Sequence, residues 1–275
     1  MNYKFPNSGI NYFVSKYLKK MSNLKGKVVV DIPAGDGRAS FVIKNMGGVV
    51  KAFDLYPELF VVKETTCAYA DLMEPLPIDD KSIDLVICQE GIEHLQDQIK
   101  FFVEFNRILK ENGLLIITCP SISHFRARLS YFFIENYLWN KMPYSEIDAI
   151  RYSNSQCNKI YYGHIFLAGI QKLRTLGAIA GFKIKETRKT GLSKTSIVLG
   201  LFMYPIYALV NCVSALISIL KCKKNNCEMK KKVYLEQLLL NISPKTVFCK
   251  HHFIVFKKER NVSENIEYLK LFNKK

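Results

Sequence analysis

Residues 27–40 read Lys-Val-Val-Val-Asp-Ile-Pro-Ala-Gly-Asp-Gly-Arg-Ala-Ser, and this stretch decides the fold of the chain. The three valines at 28–30 form a β-branched run without a polar interruption, which predicts a strand buried on both faces of a parallel sheet. Asp31 ends that run, Gly35 and Gly37 predict a turn, and helix-like sequence resumes near Arg38. A ligand can approach bare backbone N–H groups where a glycine turn leads from a strand into a helix.

Three kinds of turn fit part of this pattern. A phosphate-binding P-loop requires G-x-x-x-x-G-K-[ST], which the chain does not contain. A dinucleotide fingerprint requires a third glycine, and Ser40 occupies that position. The third interpretation starts from the acid at the end of the strand, Asp31. A purely structural turn in another α/β protein remains the alternative.

Apolar runs at 49–54, 82–89 and 114–119 predict strands, and residues 68–72 predict a short strand and turn. An amphipathic helix is predicted over 98–110 with Asn112-Gly113 as its cap. Strands that alternate with helices predict a parallel sheet, whose ligands lie at the carboxyl ends of the strands. The polar side chains predicted at those ends are Asp31, Asp54, Asp71, Gln89 and Glu90.

Asp54 is the candidate for binding a ribose. It ends the second predicted strand, and a carboxylate there can accept two hydrogen bonds from a vicinal diol. The alternative is an exposed carboxylate at a strand end.

Taken together, the motifs from Lys27 to Ser121 resemble the core of the class I S-adenosylmethionine-dependent methyltransferases. They are Asp-x-x-Ala-Gly-x-Gly, Phe53-Asp54, Ala70-Asp71-Leu72, Glu93-His94-Leu95 and Arg107-Ile108-Leu109-Lys110-x-x-Gly113. The resemblance implies an α/β, Rossmann-like, seven-stranded, mostly parallel sheet with an antiparallel last strand and helices on both faces.

The resemblance also implies S-adenosylmethionine as cofactor. In the family the acid matching Asp31 helps to hold the methionine end, and the acid matching Asp71, next to Leu72, contacts the adenine. Pro33 departs from the glycine that many members carry, so Gly35 and Gly37 must shape the turn. The candidate cofactor-binding residues are Asp31, Pro33, Ala34, Gly35, Gly37, Asp54, Leu55, Asp71, Leu72, Gln89 and Glu90.

The chain is predicted to divide into five parts. Residues 27–190 and 246–258 form the methyltransferase domain, with sixth and seventh strands over 182–188 and 248–257. A segment at 1–26 caps the cofactor cleft, residues 120–165 form a helical substrate lid, residues 191–245 form an apolar and basic insert, and 259–275 form a polar tail with one short helix.

The lid is rich in aromatic residues and arginines, which suit sugar rings or flat apolar groups and phosphate or carboxylate. A helical subdomain with a small core of its own is the alternative for most of these aromatics. Methyl transfer to a hydroxyl requires removal of a proton, and histidine is the usual base near neutral pH. His164 is the first candidate for base or substrate contact, followed by His94 and Glu93, although Glu-His after the fourth strand can also serve local hydrogen bonding.

No metal site is predicted. Cys222 and Cys227, and Cys249 with His251 and His252, do not have the spacings of strong zinc motifs. The eight cysteines are expected to be reduced, in a chain that opens without a secretory signal.

The net charge of +16 is uneven, because residues 190–275 hold fifteen basic and five acidic residues. Beside this charge, residues 196–220 carry none and are broken only by Pro205. Their length suffices to span a bilayer, but strands six and seven of one sheet require the chain to leave and return on the same side. We therefore expect a kinked, interfacial or shallow re-entrant helix pair on an anionic membrane surface, with a packed or dimer-forming helix as the alternative.

These features predict a cytoplasmic enzyme that is peripheral on the inner face of the membrane. Resemblance to methyltransferases of cell-surface glycans makes a sugar hydroxyl of a nucleotide- or lipid-linked precursor the leading acceptor. An isoprenoid quinone or other lipid ring is the second acceptor, and a cofactor-binding scaffold without turnover is the alternative from another class. No nucleic-acid partner is expected, because the basic residues cluster beside apolar sequence. A homodimer is compatible with the insert.

Overall fold

The computed structural model describes residues 9–21, 24–152, 159–222 and 227–272. Within these ranges seven strands form one sheet in the order β3-β2-β1-β4-β5-β9-β8, in which only β9 runs antiparallel to its neighbours. The strands are β1 (Val28–Asp31), β2 (Val49–Asp54), β3 (Cys67–Tyr69), β4 (Ile83–Gln89), β5 (Leu109–Pro120), β8 (Phe182–Thr187) and β9 (His251–Lys258), with β6 (Ile150–Arg151) and β7 (Tyr161–Tyr162) forming a separate pair. The predicted Rossmann-like fold is confirmed.

Helices cover both faces of the sheet. They are α1 (Gly9–Leu18), α2 (Arg38–Asn45), α3 (Gln98–Ile108), α4 (Phe125–Ile134), α5 (Glu146–Ala149), α6 (Ile170–Ile179), α7 (Lys194–Leu220), α8 (Cys227–Ile242), α9 (Pro244–Phe248) and α10 (Val262–Lys270). Successive residues of β1 enter opposite cores: Val29 packs with α1 and α2, and Val30 packs with α3 and α6. Both faces of β1 lie against apolar cores. For this reason its first three residues are all valines.

The strand register brings the carboxyl ends of the parallel strands to one edge of the sheet. Asp31 at the end of β1 pairs with Ala52 of β2 and with Ile87 of β4. The last residues of β2 and β4, Asp54 and Gln89, pair with Tyr69 and Thr118. The polar side chains at these ends therefore surround the same part of the molecule.

The predicted short third strand and turn are present: β3 ends at Tyr69, and in the turn the Asp71 carboxylate accepts a hydrogen bond from the backbone N–H of Met73. The predicted end of the helix after the fourth strand was wrong. Helix α3 ends at Ile108, and Asn112 lies inside β5 with φ +63° rather than capping the helix. The register between β4 and β5 shifts at this point, so Asn112 and Gly113 lie in the irregular part of β5.

The prediction of a kinked helix pair within residues 196–220 was also wrong. These residues belong to one 27-residue helix, α7, that continues through Pro205. Packing holds it together: the α7 residue Tyr204 stacks on Phe248, and α7 contacts α4, α8 and α9. The helix that pairs with α7 is α8, which follows it in the chain.

The two ends of the described chain pack on the domain. Helix α1 buries Ile10, Val14 and Leu18 against the sheet beside α2. Helix α10 is attached through Asn265, whose amide donates to the carbonyls of Ala178 and Ile179 at 2.8 Å each. Parts of the predicted capping segment, lid, insert and tail, at 1–8, 22–23, 153–158, 223–226 and 273–275, lie outside the described residues.

Candidate active site

The two glycines in the turn between β1 and α2 have different structural roles. Both have positive φ, +52° at Gly35 and +85° at Gly37, a conformation that L side chains rarely adopt. A Cβ on Gly37 would come within 2.6 Å of the Phe60 ring, whereas a Cβ on Gly35 would meet nothing within 4 Å. Gly37 therefore allows close packing under the loop, and Gly35 leaves open space where a ligand can lie.

Asp31 is completely buried beneath this loop. Its Oδ2 accepts hydrogen bonds from the backbone N–H of Ser40 at 2.9 Å and from the Ser40 hydroxyl at 2.6 Å. Its Oδ1 has no partner among the described residues. Burial raises the pKa of Asp31 to about 7, although the bonds from Ser40 lower it. One oxygen thus holds the loop to α2, and the other is available to a cation.

Asp54 reaches from the end of β2 to the same loop. Its Oδ2 accepts a hydrogen bond from the backbone N–H of Gly35 at 2.8 Å, and its Oδ1 accepts one from Tyr56 at 2.9 Å. Each carboxylate oxygen keeps acceptor capacity for a further donor. Leu55 follows, half-buried, between these two positions. The side chain of Asp54 therefore links the loop to the candidate ribose site.

The remaining candidates lie at the ends of the next strands. Asp71 and Leu72 are half-buried just after β3, and Leu72 packs against the core. Gln89 ends β4, and its buried Oε1 has no partner among the described residues. Pro33 and Ala34 begin the glycine loop, and a Cβ on Gly91 would come within 2.7 Å of the Pro33 ring. This close approach places the segment after β4 directly against the glycine loop.

Glu90 follows Gln89 with a positive φ of +50°. Its carboxylate accepts a hydrogen bond from the Thr118 hydroxyl at 3.2 Å and lies 3.5 Å from Nε2 of His251. Burial raises the pKa of Glu90 to about 7. Sequence reasoning missed the contacts of Thr118 and His251, since these residues lie on other strands.

Glu93, His94 and His164 come together in a second cluster. One carboxylate oxygen of Glu93 and one ring nitrogen from each histidine lie within 4.8 Å of one another. Both Glu93 oxygens are buried without a hydrogen-bond partner among the described residues. Burial and the nearby Glu90 raise the pKa of Glu93 well above its ordinary value. The three side chains can exchange a proton, and they are also close enough to hold a divalent metal ion, which the sequence spacing did not indicate.

The two histidines of the cluster differ in basicity. Nδ1 of His94 lies against the backbone carbonyl of Tyr162. A carbonyl only accepts, so Nδ1 of neutral His94 carries the proton and Nε2 is the nitrogen with the lone pair. Burial lowers the pKa of His94, while the bond to Tyr162 raises it. His164 is less basic, because burial and His94 lower its pKa to about 4. Its Nδ1 lies 2.9 Å from the Tyr137 hydroxyl.

The lid lies over the ends of three strands. The Tyr56 hydroxyl, after β2, donates to the Lys159 carbonyl at 2.7 Å. The Lys159 ammonium lies 3.6 Å from the centre of the Tyr69 ring at the end of β3. The Tyr161 ring lies 5.0 Å from His94, after β4. The sequence indicated only that the lid is rich in aromatic residues. Which of their rings reach the strand ends depends on the path of the chain.

Comparison with known proteins supports a methyltransferase domain. The fold resembles the crystal structure of an S-adenosylmethionine-dependent methyltransferase from Archaeoglobus fulgidus, with a TM-score of 0.54 and 15% identity over 91% of this chain and 95% of that one. Residues 30–117, which hold the glycine loop, the strand ends and the Glu93-His94 pair, match the family model described as a methyltransferase domain. The chain therefore contains a methyltransferase domain, and its fold is that of the class I S-adenosylmethionine-dependent methyltransferases.

Curated relatives of this chain include two whose names specify a substrate. The chain is 26% identical over 142 residues to the ubiquinone biosynthesis O-methyltransferase of Coxiella burnetii, covering 49% of this chain and 60% of that protein. It is 27% identical over 112 residues to the demethylmenaquinone methyltransferase of Chlorobaculum tepidum, covering 39% of this chain and 46% of that protein. The chain thus spans about half the length of the curated relatives it matches.

The site can accommodate S-adenosylmethionine, the cofactor of the class I methyltransferases. The sulfonium and ammonium groups of the cofactor are cationic, and the unpaired Oδ1 of Asp31 is a buried acceptor beneath the loop. The open space at Gly35 permits close approach of the ligand to the backbone. Asp54 lies beside it with lone pairs for a diol.

Proposed function

We propose that the protein transfers the methyl group of S-adenosylmethionine to a hydroxyl on the ring of a lipid-soluble acceptor of the isoprenoid-quinone type. The observation that carries this proposal is the Glu93-His94-His164 cluster, which lies after β4, against the glycine loop and beneath an aromatic lid. A proton acceptor beside the cofactor is what an oxygen acceptor needs, and flat apolar side chains suit a ring.

His94 serves as the general base in this proposal. Its Nε2 takes the proton of the acceptor hydroxyl while the oxygen attacks the methyl carbon. The bond between carbon and the sulfonium sulfur breaks, the new O–CH₃ bond forms, and S-adenosylhomocysteine leaves without the positive charge. Glu93 stabilises the imidazolium of His94 when its carboxyl is ionised. His164, less basic and bonded to Tyr137, contacts the acceptor.

Support for the quinone-type acceptor comes from the relatives. The two that name a substrate act, by name, in ubiquinone biosynthesis and on demethylmenaquinone. Neither name refers to a glycan, so the sugar acceptor that the sequence predicted first has no support from them. The quinone ring, which was its alternative, is the better-supported acceptor.

The test is transfer of a radiolabelled methyl group by the purified protein. We expect label on the ring oxygen of a short-chain prenyl quinol that carries a free hydroxyl, and none on nucleotide sugars. Label on a nucleotide sugar alone would restore the glycan acceptor. Tight cofactor binding in calorimetry without transfer to either class would mean a scaffold without turnover.

The affinity for S-adenosylmethionine is expected to rise with pH. Asp31 and Glu90 have pKa values of about 7, so both are mostly protonated at about pH 5.5 and must ionise to pair with a cation. Binding of the sulfonium lowers these pKa values, so affinity should increase roughly tenfold between about pH 5.5 and about pH 7.5. Calorimetry in two buffers of different ionisation enthalpy measures the released protons.

S-adenosylhomocysteine is the matched ligand for this measurement, because it keeps the amino acid and lacks the sulfonium charge. Its affinity should change less over the same pH range. Asp31→Asn keeps an oxygen acceptor for Ser40 and should flatten the response to S-adenosylmethionine. Equal pH profiles for both ligands would show that these carboxyls do not interact with the sulfonium.

A further inference from the structure

Helix α7 exposes a continuous apolar stripe. Its members recur every three or four residues from the third turn of the helix to its end: Phe202, Ile206, Leu209, Val213, Leu216 and Leu220. They are between 45% and 75% exposed, and only 11% of the most apolar part of α7 is buried. Among the described residues α7 is long and apolar enough to cross a membrane, by length and composition. Exposed apolar surface on this scale marks an interaction site.

The side of α7 opposite the stripe is bonded to the rest of the protein. The Tyr204 hydroxyl donates to the Ile242 carbonyl at 2.8 Å, and the Asn241 amide donates to Asn211 at 2.8 Å. Tyr204 and Asn211 lie on the side of the helix opposite the stripe. One side of α7 is therefore covered by α8, whereas none of the described residues covers the stripe.

Helix α8 excludes a transmembrane arrangement. It packs along α7 and carries exposed Lys230 and Lys232 together with Glu236, which would enter the hydrocarbon if α7 spanned the bilayer. The helix pair also leaves the sheet after β8 and returns to it before β9, two neighbouring strands. A helix with these neighbours can lie in the plane of a membrane surface with its stripe inserted.

The charge around the stripe fits an anionic surface. Lys194 and Lys221 are exposed at the two ends of α7, and Lys230 and Lys232 are exposed on α8. Across α7 and α8 the only acidic residues are Glu228 and Glu236. Lysines that flank an inserted apolar helix contact lipid headgroups and favour acidic lipids.

The stripe is joined to the lid. Ser196 of α7 lies 2.9 Å from Nδ1 of His124 and accepts a hydrogen bond from the backbone N–H of Arg126, at the start of α4. Farther along α4, Phe132 and Phe133 are 80% and 70% exposed. Helix α4 packs on α7, and the lid that it begins covers the His94 site. Exposed apolar side chains therefore lie both on α7 and on α4, the helix of the lid that packs on it.

We infer that the α7 stripe and the α4 phenylalanines together form a docking surface for a bilayer that contains anionic lipids, and that the acceptor enters beneath the lid from this bilayer. The entry of the acceptor from the bilayer rests on the proposed function, since only a lipid-soluble acceptor resides in a membrane. The docking surface does not depend on the proposed function.

Vesicle flotation of the full chain tests the docking surface. We expect the protein to float with vesicles of phosphatidylcholine and phosphatidylglycerol, and about tenfold less with phosphatidylcholine alone. Phe202→Glu combined with Leu209→Glu should weaken binding at least about tenfold, because carboxylates would enter the acyl region. Lys230→Gln combined with Lys232→Gln should weaken binding to the anionic vesicles by roughly the same factor.

Ile266→Glu is the matched control, since it places a carboxylate at an exposed apolar position of α10 that is not part of the stripe. It should float as the native protein does, and all variants should keep the native circular dichroism and affinity for S-adenosylmethionine. Flotation of the Phe202→Glu and Leu209→Glu variant at the native level would overturn the inference. So would absence of native flotation together with a dimer that this variant dissociates, which would make the stripe an interface between two copies.

The outcome separates the two proposals. A protein that methylates a short-chain, water-soluble quinol but does not bind vesicles overturns only the docking surface. A protein that binds anionic vesicles through the stripe but transfers no methyl group to any quinol overturns the proposed function and leaves the docking surface standing.

Discussion

Replacing His94 with alanine is expected to lower the turnover rate for methyl transfer roughly 100- to 10,000-fold, the range for loss of a positioned general base. His94 is the group of the cluster whose tautomer is set by a backbone carbonyl, that of Tyr162. The affinity for S-adenosylmethionine should change little, because in the proposed mechanism His94 accepts the proton of the second substrate. Single-turnover transfer of labelled methyl to a quinol, beside calorimetry with the cofactor, measures both quantities.

Two variants serve as controls for this prediction, and one combined result would contradict it. His164→Ala should cost less in turnover than His94→Ala and should mainly raise the KM for the acceptor, because His164 is less basic and contacts the acceptor. Tyr137→Phe removes the hydroxyl that lies 2.9 Å from His164 and should reproduce part of that effect. Equal losses in His94→Ala and His164→Ala, with activity abolished by a chelator and restored by a divalent cation, would reassign the cluster to metal binding.

Asp54→Ala is expected to weaken binding of S-adenosylmethionine about 100- to 1,000-fold. The substitution removes the proposed acceptor for the ribose hydroxyls, and it removes the hydrogen bond that the N–H of Gly35 donates to Asp54 at 2.8 Å. Hydrogen bonds to a charged group contribute about 1.5–3 kcal/mol each, and a factor of ten in affinity is about 1.4 kcal/mol. Calorimetric titration with S-adenosylmethionine and S-adenosylhomocysteine measures the loss, which should be similar for both because both contain the ribose.

Asp79→Ala is the matched control, since Asp79 is an exposed carboxylate and the same charge is removed. Its cofactor affinity should equal that of the native protein. Asp54→Asn keeps one oxygen acceptor and the side-chain volume, so its loss should lie between those of the other two variants. An Asp54→Ala protein that is folded and binds the cofactor within threefold of the native affinity would remove Asp54 from the ribose site.

The fold was accessible from local sequence because β1, β2 and β4 are largely apolar runs that end in a polar residue. Val28 to Val30 face both cores of a parallel sheet, so the run predicts its own burial. The carboxyl ends of such strands share one edge, and for this reason Asp31, Asp54 and Gln89 could be grouped before any contact was known. A boundary failed at Asn112, which lies inside β5 instead of capping α3, where the register between β4 and β5 shifts.

Contacts within the candidate site were less accessible. The proximity of His94 and His164 depends on how the lid returns to the sheet over about seventy intervening residues, and no periodicity encodes that path. The same holds for Pro205, because a proline predicts a break in an isolated helix but not the packing on α4, α8 and α9 that sustains it.

The sequence by itself determined the parallel sheet, the edge at which its polar residues gather and the apolar character of residues 196–220, because these properties depend on residue type and spacing along a few turns or one strand. Only the tertiary structure decided that Nδ1 of His94 faces the Tyr162 carbonyl, that both carboxylate oxygens of Glu93 are buried without a hydrogen-bond partner among the described residues and that one side of α7 is covered by α8. Each of these depends on partners distant in the chain, whose positions follow from packing of the whole domain rather than from local conformational preference.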